Sequence, residues 1–324
     1  MSDFSPFRPP WWAQGPHAQT LGARFLRPKG IVPLRRERWD TPDGDFLDLD
    51  FVDGDRIAGD RLVVVLHGLE GSARSGYTYQ LYRQLAQRGI AAVGLNFRSC
   101  SGELNRGLRL YHSGETEDLR WVLGRLAERF PERELFAIGI SLGGNVLLKY
   151  LGESGAHSGL ECAAAWSIPF DLSAGADFME TGFAQVYVRR LLRSLKRKVR
   201  VRSEDFGPLI DFERTLRSRT FREFDDAATA PLHGFDGAAD YYARSSSAGF
   251  LSAIRTPTLV LHSKDDPFLP PEAIPVNALN ANPMIQPIIT QRGGHVGFIT
   301  GSSPLRPVFW AEAVIADWVV KQLE

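Results

Sequence analysis

Cysteine is nearly missing from this chain: its 324 residues hold two, Cys100 and Cys162. That is too few for a disulfide framework or a cysteine-built zinc site, and neither has a CxxC partner. Cys100, in FRSCSGE, is expected to be chemically idle, and Cys162, in LECAAAW, to be a small core residue. Excess charge is missing too. Lysine plus arginine and aspartate plus glutamate both number 38, so the net charge is zero and no global field gathers nucleic acid. No apolar run reaches the length of a membrane span, so no transmembrane segment is expected. The opening MSDFSPFRPPWWAQGPHAQTLGARFLRP is broken by prolines and arginines and has no signal-peptide h-region, so a cytoplasmic location is expected. Internal repeats and low-complexity tracts are absent as well.

What is present is the composition of a compact soluble protein, 44% hydrophobic and 23% charged, which argues against disorder and against a fibrous fold. Apolar runs and helical spacings alternate along it. FLDLDFV (46–52) alternates apolar and acidic residues and predicts a half-buried strand near a sheet edge. RLVVVLHG (61–68) is a continuous β-branched run, the pattern of a parallel strand covered on both faces. Helix 76–89, strand 90–97, helix 115–130, strand 134–140, helix 142–153 and strand 160–168 follow. Glu115, Glu117 and Asp118 suit the amino end of the second of these helices. This alternation predicts an α/β protein, a mostly parallel central sheet with helices on both faces. The rhythm stops over about 171–250, which predicts an inserted helical cap in a single domain spanning 1–324. It resumes with strands 256–263 and 284–291 and a last helix near 306–322.

The chemistry centres on GISLGG, which fits G-x-S-x-G between a strand and a helix. A nucleophile on so sharp a turn needs small residues two places before and after it, which accounts for Gly139 and Gly143. Taken alone, Ser141 could equally be a helix cap. A serine nucleophile needs a histidine base and a carboxylate, and on such a sheet the order is serine, acid, histidine. LVLHSKDDPF offers Asp265 and Asp266 after a buried strand, and TQRGGHVGF offers His295 after the next. Asp265 is preferred on loop position, with Asp266 the alternative; either could instead cap a following helix. His67 belongs to the HGLEGS loop and is expected to hold it by hydrogen bonds. His17, His112, His157 and His233 are expected outside the loops that follow sheet strands, and His262 comes too early. Oxyanion donors are expected from the backbone N–H of Leu69 and of Leu142.

GPHAQTL, HGLEGS, NFRSCSGELNR, YHSGETEDLRWVL, GISLGGN, FREFDDAATAPLHGF, DDPF and GGHVGF, in that order, resemble the signature segments of the YheT-like α/β-hydrolases, over about residues 9–320. This bacterial branch is related to the ABHD-type esterases, acyltransferases and lipases. The resemblance implies an α/β-hydrolase fold and a serine hydrolase with triad positions Ser141, Asp265 and His295. It also implies carboxylic esters as substrates, with medium-chain acyl or glycerolipid esters among the options. A serine mechanism of this kind is expected to need neither a metal nor an organic cofactor.

Two further segments stand out. VYVRRLLRSLKRKVRVR (186–202) places Val188, Leu191 or Leu192, Leu195 and Val199 on one helical face and its cations on the other. Such a helix packs as part of a cap, or touches an anionic membrane peripherally. The pairs Trp11, Trp12 and Tyr241, Tyr242 line an acyl pocket or belong to the core. The function expected is hydrolysis of short- to medium-chain carboxylic esters through an acyl-enzyme on Ser141. An O-acyltransferase sharing that intermediate, and a non-catalytic binding protein on the same fold, are the alternatives.

Overall fold

The computed structural model describes residues 5–52 and 60–322. The chain opens with α1 (Pro16–Leu26), β1 (Leu34–Asp40), β2 (Phe46–Val52), β3 (Arg61–Leu66) and α2 (Gly76–Ala86). It continues through β4 (Ala91–Leu95), α3 (Glu117–Arg129), β5 (Glu134–Ile140), α4 (Leu142–Ser154) and β6 (Cys162–Trp166). Seven short or medium helices follow: α5 (Leu172–Phe178), α6 (Ala184–Val201), α7 (Ser203–Phe206), α8 (Phe212–Arg217), α9 (Phe221–Phe224), α10 (Ala230–Leu232) and α11 (Ala238–Ser245). The last part holds β7 (Thr258–Ser263), α12 (Val276–Ala281), β8 (Ile285–Thr290), β9 (Ile299–Ser303), β10 (Arg306–Phe309) and α13 (Trp310–Lys321).

Eight strands form one sheet in the order β1-β2-β4-β3-β5-β6-β7-β8, parallel except where β2 pairs antiparallel with β1 and β4. Alternate residues of each buried strand face opposite layers. Leu62, Val64 and Leu66 of β3 join α3 and α4 in one apolar cluster, and Val63 and Val65 join α2 and α13 in the other. The β-branched runs thus do what their pattern predicts, covering both sides of the sheet.

Two expectations change. The alternating FLDLDFV is buried along its whole length, because β1 lies outside it as the edge strand. Arg36 and Arg38 of β1 reach across to Asp50 and Asp48 at 2.7 and 2.8 Å. Buried acids tolerate the interior when paired in this way. The last helix begins at Trp310, because residues 306–309 pair with β9 as a two-stranded ribbon.

The stretch 171–250, where the alternation stops, carries α5 to α11 between β6 and β7. These helices have apolar clusters of their own, one around Tyr187, Val188, Leu192 and Phe206 and another around Tyr241 and Tyr242. Residues Asp225–Thr229 form a single π-helical turn between α9 and α10.

Candidate active site

Ser141 occupies the one-residue turn between β5 and α4, with φ 55° and ψ −119°. That backbone costs roughly 1–3 kcal/mol and persists only where the surroundings hold it. Here the Ser141 N–H donates to the Trp166 carbonyl at 2.8 Å, and its carbonyl accepts the first helical bond from Asn145. A Cβ on Gly139 would stand 2.4 Å from the Gly143 carbonyl oxygen, and one on Gly143 would stand 2.5 Å from that of Leu66. The two glycines are therefore steric requirements of the turn.

His295 meets Ser141 from the loop after β8. Its Nε2 lies 2.9 Å from Ser141 Oγ, and its Nδ1 lies 2.8 and 3.1 Å from the two carboxylate oxygens of Asp266. A carboxylate only accepts, so Nδ1 carries the proton and Nε2 is left to accept from the serine hydroxyl. Asp266, not the preferred Asp265, is the acid the structure brings to His295. Asp265 turns the other way and accepts the Gly294 N–H at 2.8 Å, supporting the histidine loop from behind. Asp266 is fixed by accepting the Phe268 N–H at 2.8 Å, two residues on, a local turn that aims its carboxylate inward. Burial raises the carboxyl pKa of Asp265.

Several residues that sequence reasoning did not single out hold the histidine. The Thr20 hydroxyl accepts the His295 N–H at 2.9 Å, and the Ser167 hydroxyl accepts that of Val296 at 3.0 Å. Arg27, at the end of α1, donates to the Val296 and Gly297 carbonyls at 2.7 and 3.0 Å and pairs with Glu312 at 2.6 Å. The Gln19 amide bridges Ala13 and Ile299. The only signal for this clamp was the AQT of the amino-terminal segment. Phe268, the last residue of DDPF, stacks on the imidazole.

The HGLEGS loop presents its backbone toward Ser141, with a Cβ on Gly68 reaching 3.0 Å from the serine Cβ. His67 is fully buried and bonded to the Gly68 carbonyl at 2.8 Å and the Phe97 N–H at 3.1 Å, and burial lowers its pKa to about 4. The Gly68 N–H donates to Tyr77 Oη and the Glu70 N–H to Tyr111 Oη. Between them the Leu69 N–H has no protein acceptor among the described residues. Leu142 opens α4, where an N–H has no intrahelical acceptor either. Both leucines border the same cavity as Ser141 and His295.

A family model described as alpha/beta hydrolase fold matches residues 61–302. Over 311 residues the chain is 40% identical to "Putative esterase YheT" of Escherichia coli (strain K12), covering 95% of this chain and 91% of that protein. The chain belongs to the α/β-hydrolase fold family, in its YheT-like branch. This hydrolase is also 32% identical to the monoacylglycerol lipase of Saccharomyces cerevisiae, over 76% of its own length and 56% of the lipase. A solved Pyrococcus furiosus esterase superposes on it with a TM-score of 0.60, at 15% identity and full coverage of both chains, a likeness of fold.

The cavity of the hydrolase at Ser141 has a volume of about 130 Å³. Part of its wall comes from α5, α6, α9 and α11, through Leu172, Leu191, Leu195, Phe221 and the pair Tyr241 and Tyr242. Trp11 and Trp12 lie elsewhere and donate to the Ser302 and Gly301 carbonyls. His112, which the sequence places outside the strand-following loops, sits in the connection after β4 and borders the cavity, with His233 packed on it at 4.5 Å. Asp225 also reaches the cavity; its carboxylate accepts from Tyr242 and Thr229, and burial lifts its pKa to about 6. Cys100 lies beside Lys198 Nζ at 3.4 Å, and burial pushes its thiol up to about 11, so it is a poor nucleophile at neutral pH. Cys162 is a core residue of β6. Among the described residues no helix is long and apolar enough to cross a membrane, and no cluster of three or more histidine, cysteine or acidic side chains is placed to hold a metal ion.

Proposed function

We propose that the protein is a serine hydrolase of carboxylic esters with Ser141 as nucleophile, His295 as base and Asp266 as the orienting acid. The observation that carries this is the unbroken line from Ser141 Oγ through His295 to the Asp266 carboxylate, at 2.9 and 2.8 Å. As Oγ attacks the acyl carbon, Nε2 takes its proton, and Asp266 stabilises the imidazolium that forms. The oxyanion faces the unclaimed N–H groups of Leu69 and Leu142. His295 then returns the proton to the departing alcohol, and water attacks the acyl-enzyme with His295 again as base. The apolar wall supplied by α5, α6, α9 and α11 acts as a cap that receives a short- to medium-chain acyl group.

Labelling with a fluorophosphonate probe tests the nucleophile: the wild type is labelled and Ser141→Ala is not. Equal labelling of both would remove Ser141 from the mechanism, and no labelling of either would leave a binding protein on a hydrolase fold. Turnover of a p-nitrophenyl ester chain-length series fixes the acyl preference, and adding ethanol separates hydrolysis from transfer to an alcohol.

A further inference from the structure

Helix α6 carries seven cations in 18 residues and no acid, in a chain whose net charge is zero. One of them, Lys198, is turned inward and pairs with Glu70 at 2.6 Å. Lys196 is half-buried and donates to the Ser218 carbonyl. The remaining five, Arg189, Arg190, Arg193, Arg197 and Arg200, are exposed, and none has a carboxylate partner among the described residues. An ordinary solvated helix face interleaves both signs; this one leaves its positive field uncompensated. Arg24 of α1 adds to it: burial and the like charge of Arg190 lower its pKa.

The same surface is apolar at both ends. Phe183, Val186 and Val201 are 47%, 48% and 67% exposed. The spacing 183, 186, 190, 193, 197, 201 keeps these residues and the arginines between them on one side of the helix. Arg189, Arg193, Lys196 and Arg200 also line a groove of about 760 Å³, which Arg219 borders as well and where Glu180 is the single acid. Met179 borders both this groove and the cavity at Ser141. Met179 is thus a wall residue common to the cationic groove and the space next to the nucleophile.

We propose that the outer face of α6 docks the protein on a membrane leaflet bearing anionic phospholipid headgroups, the arginines meeting the headgroups and Phe183, Val186 and Val201 entering the acyl boundary. Val186 and Val201 give a nucleic acid nothing to stack on or bond to, and the Phe183 ring already packs on His17 and Tyr187, whereas an interfacial helix requires such apolar side chains. Docking in this orientation brings the lipid surface to the Met179 side of the catalytic cavity. That last consequence rests on the ester-hydrolase proposal; the docking does not.

Co-sedimentation of the full chain with vesicles tests it. Binding is expected to phosphatidylcholine vesicles containing phosphatidylglycerol, to be about tenfold or more weaker to pure phosphatidylcholine, and to fall steeply with salt. Replacing Arg189, Arg193, Arg197 and Arg200 together by Gln is expected to lower binding about tenfold or more. Replacing Lys29, Arg83, Arg125 and Arg255 by Gln, an equal loss of charge elsewhere, is expected to leave it unchanged. Both variants should keep wild-type turnover of a soluble p-nitrophenyl ester, which shows them folded. Equal binding to both vesicles, or undiminished binding by the α6 variant, overturns the proposal. So does displacement by glycerol 3-phosphate or by a short oligonucleotide at matched ionic strength, which would mark a small-anion or nucleic-acid site. Intact vesicle binding with no fluorophosphonate labelling would sink the hydrolase assignment and leave the docking in place.

Discussion

Phe268 lies flat on the imidazole of His295, the ring centroids 3.9 Å apart and the planes within 4° of parallel. An aromatic face against the ring fixes its plane and favours the imidazolium that forms when Ser141 is deprotonated. Phe268→Leu keeps most of the apolar volume and removes that face. We expect kcat to fall about tenfold, corresponding to about 1.4 kcal/mol, with KM little changed. Steady-state kinetics on a p-nitrophenyl ester check this, and an unaltered kcat would mean the stack only packs.

Adjacent aspartates have opposite duties. Asp266→Asn puts an amide NH2 donor beside Nδ1, which favours the wrong imidazole tautomer, and removes the charge that steadies the imidazolium, so kcat should drop about a thousandfold or more. Asp265→Ala removes the acceptor of the Gly294 N–H and contacts to Ser263 and Gly293, and leaves the Asp266 carboxylate on His295 in place. That should cost about 1 kcal/mol of stability and less than about tenfold in kcat. The reverse ranking would return the triad role to Asp265.

Arg27 and Glu312 form a fully enclosed ion pair, with side chains 2% and 0% exposed. Arg27→Met strands the carboxylate and should cost about 3–5 kcal/mol in denaturant unfolding. It also frees the Val296 and Gly297 carbonyls beside His295, so kcat should fall with it. Adding Glu312→Leu should recover most of the stability but little of the activity. Recovery of both would mean that Arg27 acts on the fold alone.

His67 and His262 are buried, His233 is half-buried, and all three stay neutral to a pKa of about 4, below the ordinary 6.5. Between those values each unfolded chain binds a proton at these sites that the native chain refuses, so stability present above pH 6.5 is lost as pH falls. Asp225 works the other way: its folded pKa of about 6 exceeds the ordinary 3.8, so the native chain binds the extra proton as pH falls below 6. Burial holds His112 well below its ordinary value as well, so at least three protons oppose one, which leaves a loss of about 2–3 kcal/mol or more per pH unit near pH 5. The urea midpoint should therefore drop between pH 7 and pH 5, and more steeply in Asp225→Asn. A flat midpoint over that range would show the histidines to be accessible.

The sheet was legible wherever its strands were buried on both sides, because runs such as RLVVVL leave no other place for themselves. LRRERWD hid β1, since an edge strand that carries arginines to a neighbour's aspartates has no apolar period. Ser141 and His295 were legible because backbone constraint writes glycines around them and chain order does the rest. The acid was not, because Asp265 and Asp266 differ only in the direction each carboxylate points. Thr20 and Phe268 lay inside GPHAQTL and DDPF without a role that the residues themselves declare, and Arg27 had no signal at all: nothing local in an arginine announces a partner on the far side of the chain.

The clamp on His295 also bears on how the protein comes to be active during its synthesis. Thr20 grips a residue 275 positions later, and Arg27 one 285 positions later. Contacts so distant in sequence form late. A nascent chain can complete the turn at Ser141 and the strands around it while its base has yet to leave the ribosome. Reactivity would thereby be withheld until the α13 segment has emerged and the α1 region has met the histidine loop and Glu312.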